Sequence, residues 1–442
     1  MEGRRFFLVT MGCQMNRHDS ARMAEALRGA GLEPAESLAG ADLCVVNTCC
    51  VRDKAENKAR AAIGRLAAWK RRRPGRTVVV AGCVAEKLGP GWLNAFSHVD
   101  AVLGPDRLDA LTRVAAGPAG TPFVSTGFTA GAPADFLAAR PDLAAPGPTA
   151  FVTVSKGCSQ HCTFCIVPAV RGGLRCRPAV DVEAEAAALV AAGARELVLL
   201  GQAVNDYDDR AAGFAALLRR VGAVPGLRRL RYTSPHPRFV DADTVRAHAD
   251  VAPLCEHVHL PVQSGADPVL RRMGRRTTRE EILHRVDALR RARPGMTFGT
   301  DVIVGFPGET DEQAGETVSL VREVGFTQVF AFTYSPRPGT AAERFPDDVP
   351  APVKAARLQS VQEAAGALAD AHRRSLVGTT VEVLIEGPSD RGGGRWQGRT
   401  RNNDVVHLDA AGGTTPPGSL VEVVVGEARP HCLIGTRAGT GR

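Results

Sequence analysis

Apolar and polar positions along this chain change their rhythm in three successive blocks. In the first, up to about Gly117, short apolar runs alternate with stretches of helical period. Phe6-Phe7-Leu8-Val9 reads as a strand, followed by a turn and an amphipathic helix from Asn16 to Arg28. Asp42 to Val46 is a second strand, with a helix from about Arg52 to Lys70 after it. Thr77 to Ala81 and Val99 to Leu103 are the third and fourth strands. Strands that alternate with helices imply a parallel sheet covered on both faces. Gly117 to Thr149 is rich in Ala, Gly and Pro and reads as a linker. The second block repeats the alternation, with strands expected at Phe151 to Val154, Glu196 to Leu200, Arg229 to Thr233, His257 to Val262, Asp301 to Phe306 and Val329 to Tyr334. Helices such as Val182 to Ala192 and Arg279 to Ala292 fit between them. Six such units suggest an incomplete barrel, with its reactive end at the C-terminal ends of the strands. From Leu376 the β-branched runs Val381 to Leu384, Val405 to Leu408 and Leu420 to Val425, separated by Gly, Pro and Asp turns, fit a small β-barrel.

Composition sets bounds on this picture. The 442 residues allow two or three domains, and 44% hydrophobic with 23% charged residues is ordinary globular usage. No stretch approaches the roughly 20 apolar residues of a membrane span. Met1 to Thr10 is a basic start running into a strand, without the apolar core and small-residue cleavage site of a secretory signal, so the expected location is the cytoplasm. The net charge of +8 is modest, but it is clustered: Lys70-Arg71-Arg72-Arg73 with Arg76, Arg271-Arg272 with Arg275-Arg276, and Arg290-Arg291 with Arg293. Such clusters are either solvated helix faces or contacts for a polyanion.

The 11 cysteines matter more. In a reducing compartment they do not form a disulfide framework, and special spacing points to metal or redox chemistry. Cys158, Cys162 and Cys165 are spaced C-x3-C-x2-C directly after the first strand of the second block. Three thiolates on one tight loop can hold three irons of a [4Fe–4S] cube and leave the fourth iron open for a small molecule. The alternative is a zinc loop completed by His161 or Cys176. Cys13, Cys49 and Cys83 lie far apart in sequence, yet each follows an expected strand. If those strands are parallel neighbours, the three thiols converge at one sheet edge, where open α/β sheets place ligands. A single cysteine at a strand end is more often a small core residue, but three in register beside Gly12, Thr48 and Gly82 read as a ligand set. Cys44 alternates into its strand and reads as core. Cys50 abuts Cys49 and is the alternative ligand to it, with Cys49 the expected one.

The loop Lys156-Gly157-Cys158-Ser159-Gln160-His161-Cys162-Thr163-Phe164-Cys165, with an aromatic residue before its last cysteine, resembles the radical S-adenosylmethionine (SAM) superfamily. Met11-Gly12-Cys13-Gln14-Met15-Asn16, Val51-Arg52-Asp53-Lys54-Ala55-Glu56-Asn57-Lys58, Asn47-Thr48-Cys49 and Gly82-Cys83 resemble the N-terminal domain of the radical SAM methylthiotransferases. The likeness runs from Phe6 to the last β segment. It implies an α/β protein with a doubly wound parallel-sheet domain over residues 1–117, a linker over 118–149, an incomplete (β/α)6 radical SAM core over 150–375 and a small TRAM β-barrel over 376–438. It implies two [4Fe–4S] clusters, one on Cys13, Cys49 and Cys83 and one on Cys158, Cys162 and Cys165, with SAM on the open iron of the second. In that chemistry an electron from the reduced cluster cleaves SAM, and the resulting 5′-deoxyadenosyl radical removes hydrogen from an unactivated C–H bond. The expected cofactor-binding residues are Phe164, Gly201, Gln202, Asn205, Gln263 and Asp301. The segment His259-Leu260-Pro261-Val262-Gln263-Ser264-Gly265 resembles a family segment near SAM, and Leu200-Gly201-Gln202-Ala203-Val204-Asn205 resembles another of its segments.

Family members act on isopentenylated adenosine at position 37 of tRNA, on threonylcarbamoyl adenosine there, or on an aspartate of a ribosomal protein. Gly12 to Asn16 and Arg52 to Lys58 look most like the first group, whose product is 2-methylthio-N6-isopentenyladenosine. The implied partners are tRNA carrying isopentenyladenosine and an electron donor such as flavodoxin or ferredoxin, with the chain a monomer and no membrane involved. The TRAM-like segment has seven Arg against seven Asp and Glu from Leu376 on, so bulk charge does not mark it as RNA-binding; Trp396 is either a stacking platform or core. The chain departs from the family at Ala169, Leu174 and Cys176, where Tyr, Glu and Ser are usual, and at Ala203, Pro235 and Thr277. These losses of polar groups keep open a non-catalytic iron–sulfur or RNA-binding reading. They leave all six cysteines of the two sets untouched.

Overall fold

The structure is a computed structural model that describes residues 3–50, 53–115, 120–128, 147–389, 394–409 and 416–439. Val51-Arg52 of the family-like motif and most of the expected linker lie outside the described residues. The chain forms two compact units that interleave in sequence: Ser155–Gln160 and Cys165–Arg175 belong with the N-terminal part, and His161–Phe164 and the chain from Cys176 on belong to the second.

In the first unit, β1 (Arg5–Thr10), β2 (Glu33–Pro34), β3 (Leu43–Thr48), β4 (Thr77–Gly82), β5 (Ala101–Leu103) and β6 (Phe123–Ser125) form one sheet in the order β2-β1-β3-β4-β5-β6, with every neighbouring pair parallel. The central strands β3 and β4 are buried along their whole length because both faces are covered. Leu43 and Val45 of β3 and Val79 of β4 point to α1 (Gln14–Gly29), meeting its Met23 and Leu27, and to α5 (Leu111–Ala115). Their neighbours Cys44, Val46, Val78 and Val80 point the other way, to α2 (Asp53–Arg71), α3 (Cys83–Leu88) and α4 (Gly91–Ala95). This is the doubly wound arrangement. Phe123–Ser125 adds an edge strand inside the stretch expected to be linker; a three-residue run flanked by Gly and Pro carries too little period to be seen. Ile166 and Val170, at and within α6 (Val167–Arg171), join the α2-side core.

The second unit opens with β7 (Thr149–Thr153). After the two-residue strands β8 (Ser155–Lys156) and β9 (Arg175–Cys176), it continues through α7 (Ala179–Ala191), β10 (Glu196–Leu200), α8 (Phe214–Gly222), β11 (Arg229–Tyr232), α9 (Ala242–Asp250), β12 (His257–His259), α10 (Asp267–Arg272), α11 (Arg279–Ala292), β13 (Thr297–Val304), α12 (Asp311–Val324) and β14 (Gln328–Thr333). The strands form two parallel three-stranded sheets, β11-β10-β7 and β12-β13-β14, linked by a bridge between Leu230 and Leu254. All six expected barrel strands are present. The fifth begins four residues earlier than expected, at Thr297, because Thr297, Gly299 and Thr300 interrupt its apolar pattern; Asp301 therefore lies inside β13 rather than opening it.

Helix α13 (Ala351–Ser375) buries Val361 and Ala364 in the barrel's core and leads into a closed five-stranded barrel of β15 (Thr380–Pro388), β16 (Arg395–Thr400), β17 (Val405–Asp409), β18 (Leu420–Arg429) and β19 (Cys432–Arg437). Val383, Ile385, Val406, Val423, Val425 and Leu433 fill it, and Trp396 packs against that core. Arg229 of β11, fully buried, ties the two barrels together. Its guanidinium donates to Glu382 Oε1 at 2.8 Å, to the Arg399 carbonyl at 2.7 Å and to the Glu382 carbonyl at 3.1 Å. Among the described residues, no helix is long and apolar enough to cross a membrane.

Removing the Arg229 side chain leaves two carbonyls and a carboxylate without their donor. Arg229→Ala is expected to destabilise the docking of the C-terminal barrel by on the order of 3 kcal/mol. The measurement is limited proteolysis: cleavage at the end of α13 should become faster while the first unit stays resistant.

Candidate functional site

The C-terminal edge of the first sheet gathers thiols. Cys13 lies at the N-terminus of α1, Cys49 follows β3, and Cys83 opens α3 directly after β4. The backbone there is shaped for close approach. Gly12 has φ +106°, and a Cβ on it would lie 2.6 Å from Cys49 Sγ; Gly82 has φ +91°, and a Cβ on it would lie 2.4 Å from Asn47 Oδ1. Asn16 and Asn47, both buried, brace the edge: Asn16 Nδ2 donates to the Met11 and Thr48 carbonyls at 2.9 and 2.8 Å, and Asn47 Nδ2 donates to the Asn16 carbonyl at 2.9 Å.

The thiols form hydrogen-bonded pairs, Cys13 with Cys49 and Cys83 with Cys50. A hydrogen bond from Cys49, helped by the charge of Arg171, holds Cys13 down to about 6 against the opposing effect of burial. A hydrogen bond from Cys50 and the same guanidinium hold Cys83 down to about 7. The partner thiol Cys50 is driven far up by its bond to Cys83 and by burial. Cys44 is core, as expected, and burial alone raises it to about 12. Cys50 is thus closer to the set than its sequence position indicated.

Arg171 was missed as a site residue by sequence reasoning. It ends α6, only six residues beyond Cys165, and is 3% exposed. Its Nε lies 3.2 Å from Cys83 Sγ, and its Nη2 donates to Asp19 Oδ2 at 2.8 Å and Asn16 Oδ1 at 3.1 Å. Burial works against its charge, but Asp19 and the two thiols outweigh this and raise its pKa. The signal that could have found it is the pairing of a family-like Arg-Gly with a family-like Gly-Cys-x-x-Asn. The donor set suits an iron–sulfur cluster: sulfur ligands on one edge, two of them biased to thiolate, with a buried cation to balance an anionic cube. Among the described residues, no three His, Cys, Asp or Glu side chains are gathered as a cage for a metal ion.

The second cysteine set starts from a Gly157 turn with φ +77°, where a Cβ would lie 2.1 Å from the Gly173 carbonyl. In the first unit, Cys158 is buried; its N–H donates to the Gly172 carbonyl at 3.1 Å and its Sγ accepts from Gln160 N–H at 3.4 Å. Cys165 is half-buried. In the second unit, Cys162 Sγ lies 3.6 Å from Arg275 Nη1. Thr163 is pinned by hydrogen bonds to the Met273 carbonyl through its N–H and to the Arg272 carbonyl through its hydroxyl. Phe164 packs with Met273, Phe306 and Tyr334. Cys176 accepts a hydrogen bond from Asp208 N–H, and burial pushes it up to about 11, which suits a neutral thiol standing in for serine.

The remaining expected residues sit at the C-terminal ends of the second unit's strands. Gly201 is buried just past β10. Both amide atoms of Gln202 beside it are enclosed without a hydrogen-bond partner among the described residues, which leaves them for a ligand. Asn205 is committed elsewhere: its Nδ2 donates to the His236 carbonyl at 3.0 Å and its Oδ1 accepts from His236 N–H at 2.7 Å. Gln263 has φ +75°, held there by backbone bonds to Asp301 and Ile303. Asp301 Oδ2 is 3.0 Å from His259 Nε2. His236 is buried, and burial together with Arg275, Arg238 and Arg285 pushes it down to about 2.

Two outcomes follow from these environments. With a cluster on Cys13, Cys49 and Cys83 and another on Cys158, Cys162 and Cys165, Arg171→Met is expected to lose at least half of the first set's iron after anaerobic reconstitution and Arg171→Lys less; iron and sulfide analysis on the Cys158→Ala, Cys162→Ala, Cys165→Ala background checks this. His236 is neutral in the folded chain and takes up a proton when unfolded below about pH 6.5. The unfolded state therefore binds more protons as pH falls, and this site removes about 2 kcal/mol between pH 6.5 and pH 5. His236→Asn should flatten that fall in urea titrations at the two pH values.

The same order of parts is matched by family models. Residues 5–104 match the Uncharacterized protein family UPF0004, residues 152–321 the Radical SAM superfamily and residues 374–437 the TRAM domain. The tRNA-2-methylthio-N(6)-dimethylallyladenosine synthase of Sorangium cellulosum is 50% identical over 97% of this chain and 92% of its own length. The enzymes of the same name from Anaeromyxobacter dehalogenans and Coxiella burnetii are 44% and 41% identical, each over 98% of this chain and over 94% and 99% of their own lengths. Among solved structures, the radical S-adenosylmethionine methyltransferase TsrM from Kitasatospora setae, with cobalamin and [4Fe-4S] cluster bound, shares the fold at a TM-score of 0.54 and 18% identity over 77% of each chain. Identity of this size along almost the whole chain makes it a member of the tRNA-2-methylthio-N(6)-dimethylallyladenosine synthase family of radical SAM methylthiotransferases.

Proposed function

We propose that this chain inserts a methylthio group at C2 of N6-isopentenyladenosine at position 37 of tRNA, using two [4Fe–4S] clusters and SAM. The observation that carries the reading is the end-to-end identity with synthases of that name. The assignment of residues is supported by the site geometry. Cys13, Cys49 and Cys83 would hold one cluster, with Arg171 balancing its charge, and Cys158, Cys162 and Cys165 the other. When bound, the second cluster and SAM supply hydrogen abstraction from a carbon that acid–base groups cannot activate.

The chain's own residues bind, orient and exclude water. Gln202 offers an unpartnered amide to the cofactor, and Gly201 lets the backbone come close to it. Gln263 is held in a left-handed turn between strand ends, and Asp301 is oriented by His259. Phe164 closes the apolar side. Asn205 serves as a positioning residue that fixes the backbone of His236. The cytoplasm supplies the tRNA and a low-potential donor such as flavodoxin or ferredoxin, and the chain works as a monomer. The departures at Ala169, Leu174 and Cys176 replace none of the proposed cluster ligands.

Nucleoside analysis of tRNA from cells with and without the gene tests this. Deletion should abolish 2-methylthio-N6-isopentenyladenosine and raise N6-isopentenyladenosine; an unchanged profile would exclude this target. The purified anaerobic protein should carry about eight irons per chain, falling to about four in the Cys158→Ala, Cys162→Ala, Cys165→Ala variant.

A further inference from the structure

The C-terminal end of α2 carries arginines that the thiol chemistry does not use. Arg65, Arg72, Arg73 and Arg76 line a recess of about 590 Å³ with Trp69 and Ala39 in its wall. It lies at the N-terminal ends of β3 and β4, because Arg76 precedes Thr77 and Ala39 precedes Leu43. The thiols are at the other ends of the same six-residue strands, roughly 20 Å away at strand rise.

A solvated helix face does not explain Arg76. It is 8% exposed and stacked over the Trp69 ring at 4.5 Å. Its Nη1 and Nη2 donate to the carbonyls of Trp69 and Ala39, both at 2.7 Å, and its Nε is enclosed without a partner. Carbonyls fix its direction but do not cancel its charge. Among the described residues, Asp42 is the one carboxylate paired with any of the four arginines, and it is taken by Arg73 at 3.1 Å. Burial and then the neighbouring Arg73 press the Arg76 pKa downward, as crowded cations do. Four arginines lining one recess, with one paired carboxylate among the described residues, leave positive charge that an anion can balance, and the planar fork of arginine matches phosphate oxygens. Trp69 is not a stacking platform for a base: it is 7% exposed and its Nε1 donates to the Leu38 carbonyl at 2.7 Å. Backbone phosphate, without base readout, is the ligand that fits.

We propose that this recess is an anchoring site for the phosphodiester backbone of tRNA, remote from the base that is modified. The proposal rests on the tRNA reading above. Its test is binding of the full-length, cluster-loaded protein to unmodified and isopentenylated tRNA across a KCl series. Arg65→Ala with Arg72→Ala should lower the slope of log affinity against log salt by about two and weaken binding about tenfold near 150 mM KCl, equally for both tRNAs. Cluster absorbance and SAM cleavage to 5′-deoxyadenosine should be unchanged. Arg28→Ala, at the exposed end of α1 on the other face of the sheet, should leave the slope as it is. Equal binding by the wild type and the double variant overturns the anchoring site while leaving the tRNA reading intact. Equal losses in the double variant and in Arg28→Ala also overturn it, because the effect is then bulk charge. Failure of the wild type to bind any tRNA removes both readings.

Discussion

A guanidinium sealed from water sets the terms for the first thiol site. Removing a charge from solvent costs several kcal/mol unless another charge and well-made hydrogen bonds offset it. Around Arg171, Asp19 supplies the counter-charge, Asn16 a neutral acceptor, and Cys83 a sulfur that is favoured as thiolate by the same contact. These groups come from α1, α3 and α6, so the ionic contact fixes three helices at once. It also makes the thiol chemistry depend on a residue far along the chain: the segment that follows the second cysteine set delivers the cation of the first. Ile166 and Val170 hold that segment by burying themselves against the α2-side core.

The sheet converts sequence separation into proximity. Parallel neighbours in register put the ends of β1, β3 and β4 side by side, so residues 13, 49 and 83 reach one edge. That proximity needs backbone without side chains at Gly12 and Gly82, where a Cβ would meet Cys49 and Asn47. The alternation within β3 puts Cys44 on the α2 side as a core thiol, whereas Cys49, one residue past the strand, is buried but hydrogen-bonded to Cys13. Thiol hydrogen bonds and the Arg171 charge, rather than burial, therefore separate Cys13 and Cys83 from the core thiol Cys44.

The parts legible in sequence were those in which local pattern and tertiary role agree. Apolar runs between helical stretches marked the central strands of both α/β blocks, since a strand buried on both faces has no polar alternation to confuse it. The barrel strands at the C-terminal end were half legible. Arg395–Thr400 was missed because Gly398 and the charged residues around it hide a strand, yet a Cβ at Gly398 would lie 2.3 Å from the Leu384 carbonyl, so glycine there serves close strand packing. Cys432–Arg437 was hidden in the same way by Gly435, where a Cβ would lie 2.5 Å from Val423 Cγ1. Helix α13 escaped because its buried face is only a few residues wide. At the site, the cysteines were readable from spacing and strand position. Arg171 and Asp19 were not, because their partnership exists only after α6 has docked.

The distribution of arginines shows why net charge is a poor guide to where a polyanion lands. The C-terminal barrel is neutral in sum, and its arginines are largely occupied: Arg399 pairs with Glu386, Arg401 with Glu256 of the central barrel, and Arg429 with Glu427. Arg229 and Arg231, which look like a basic strand, are likewise consumed in joining the two barrels, through Glu382 and through the carbonyls of Arg399, Thr400 and Arg401. A paired guanidinium contributes little field at a distance, because its counter-ion, 2.6 to 2.8 Å away in these pairs, largely cancels it. The uncompensated cations therefore lie elsewhere, and the end of α2 is where a buried, carbonyl-oriented arginine stands among others with one paired acid among the described residues. Charge that is left unpaired by the fold, rather than charge that is merely counted, is what remains available to a phosphate backbone.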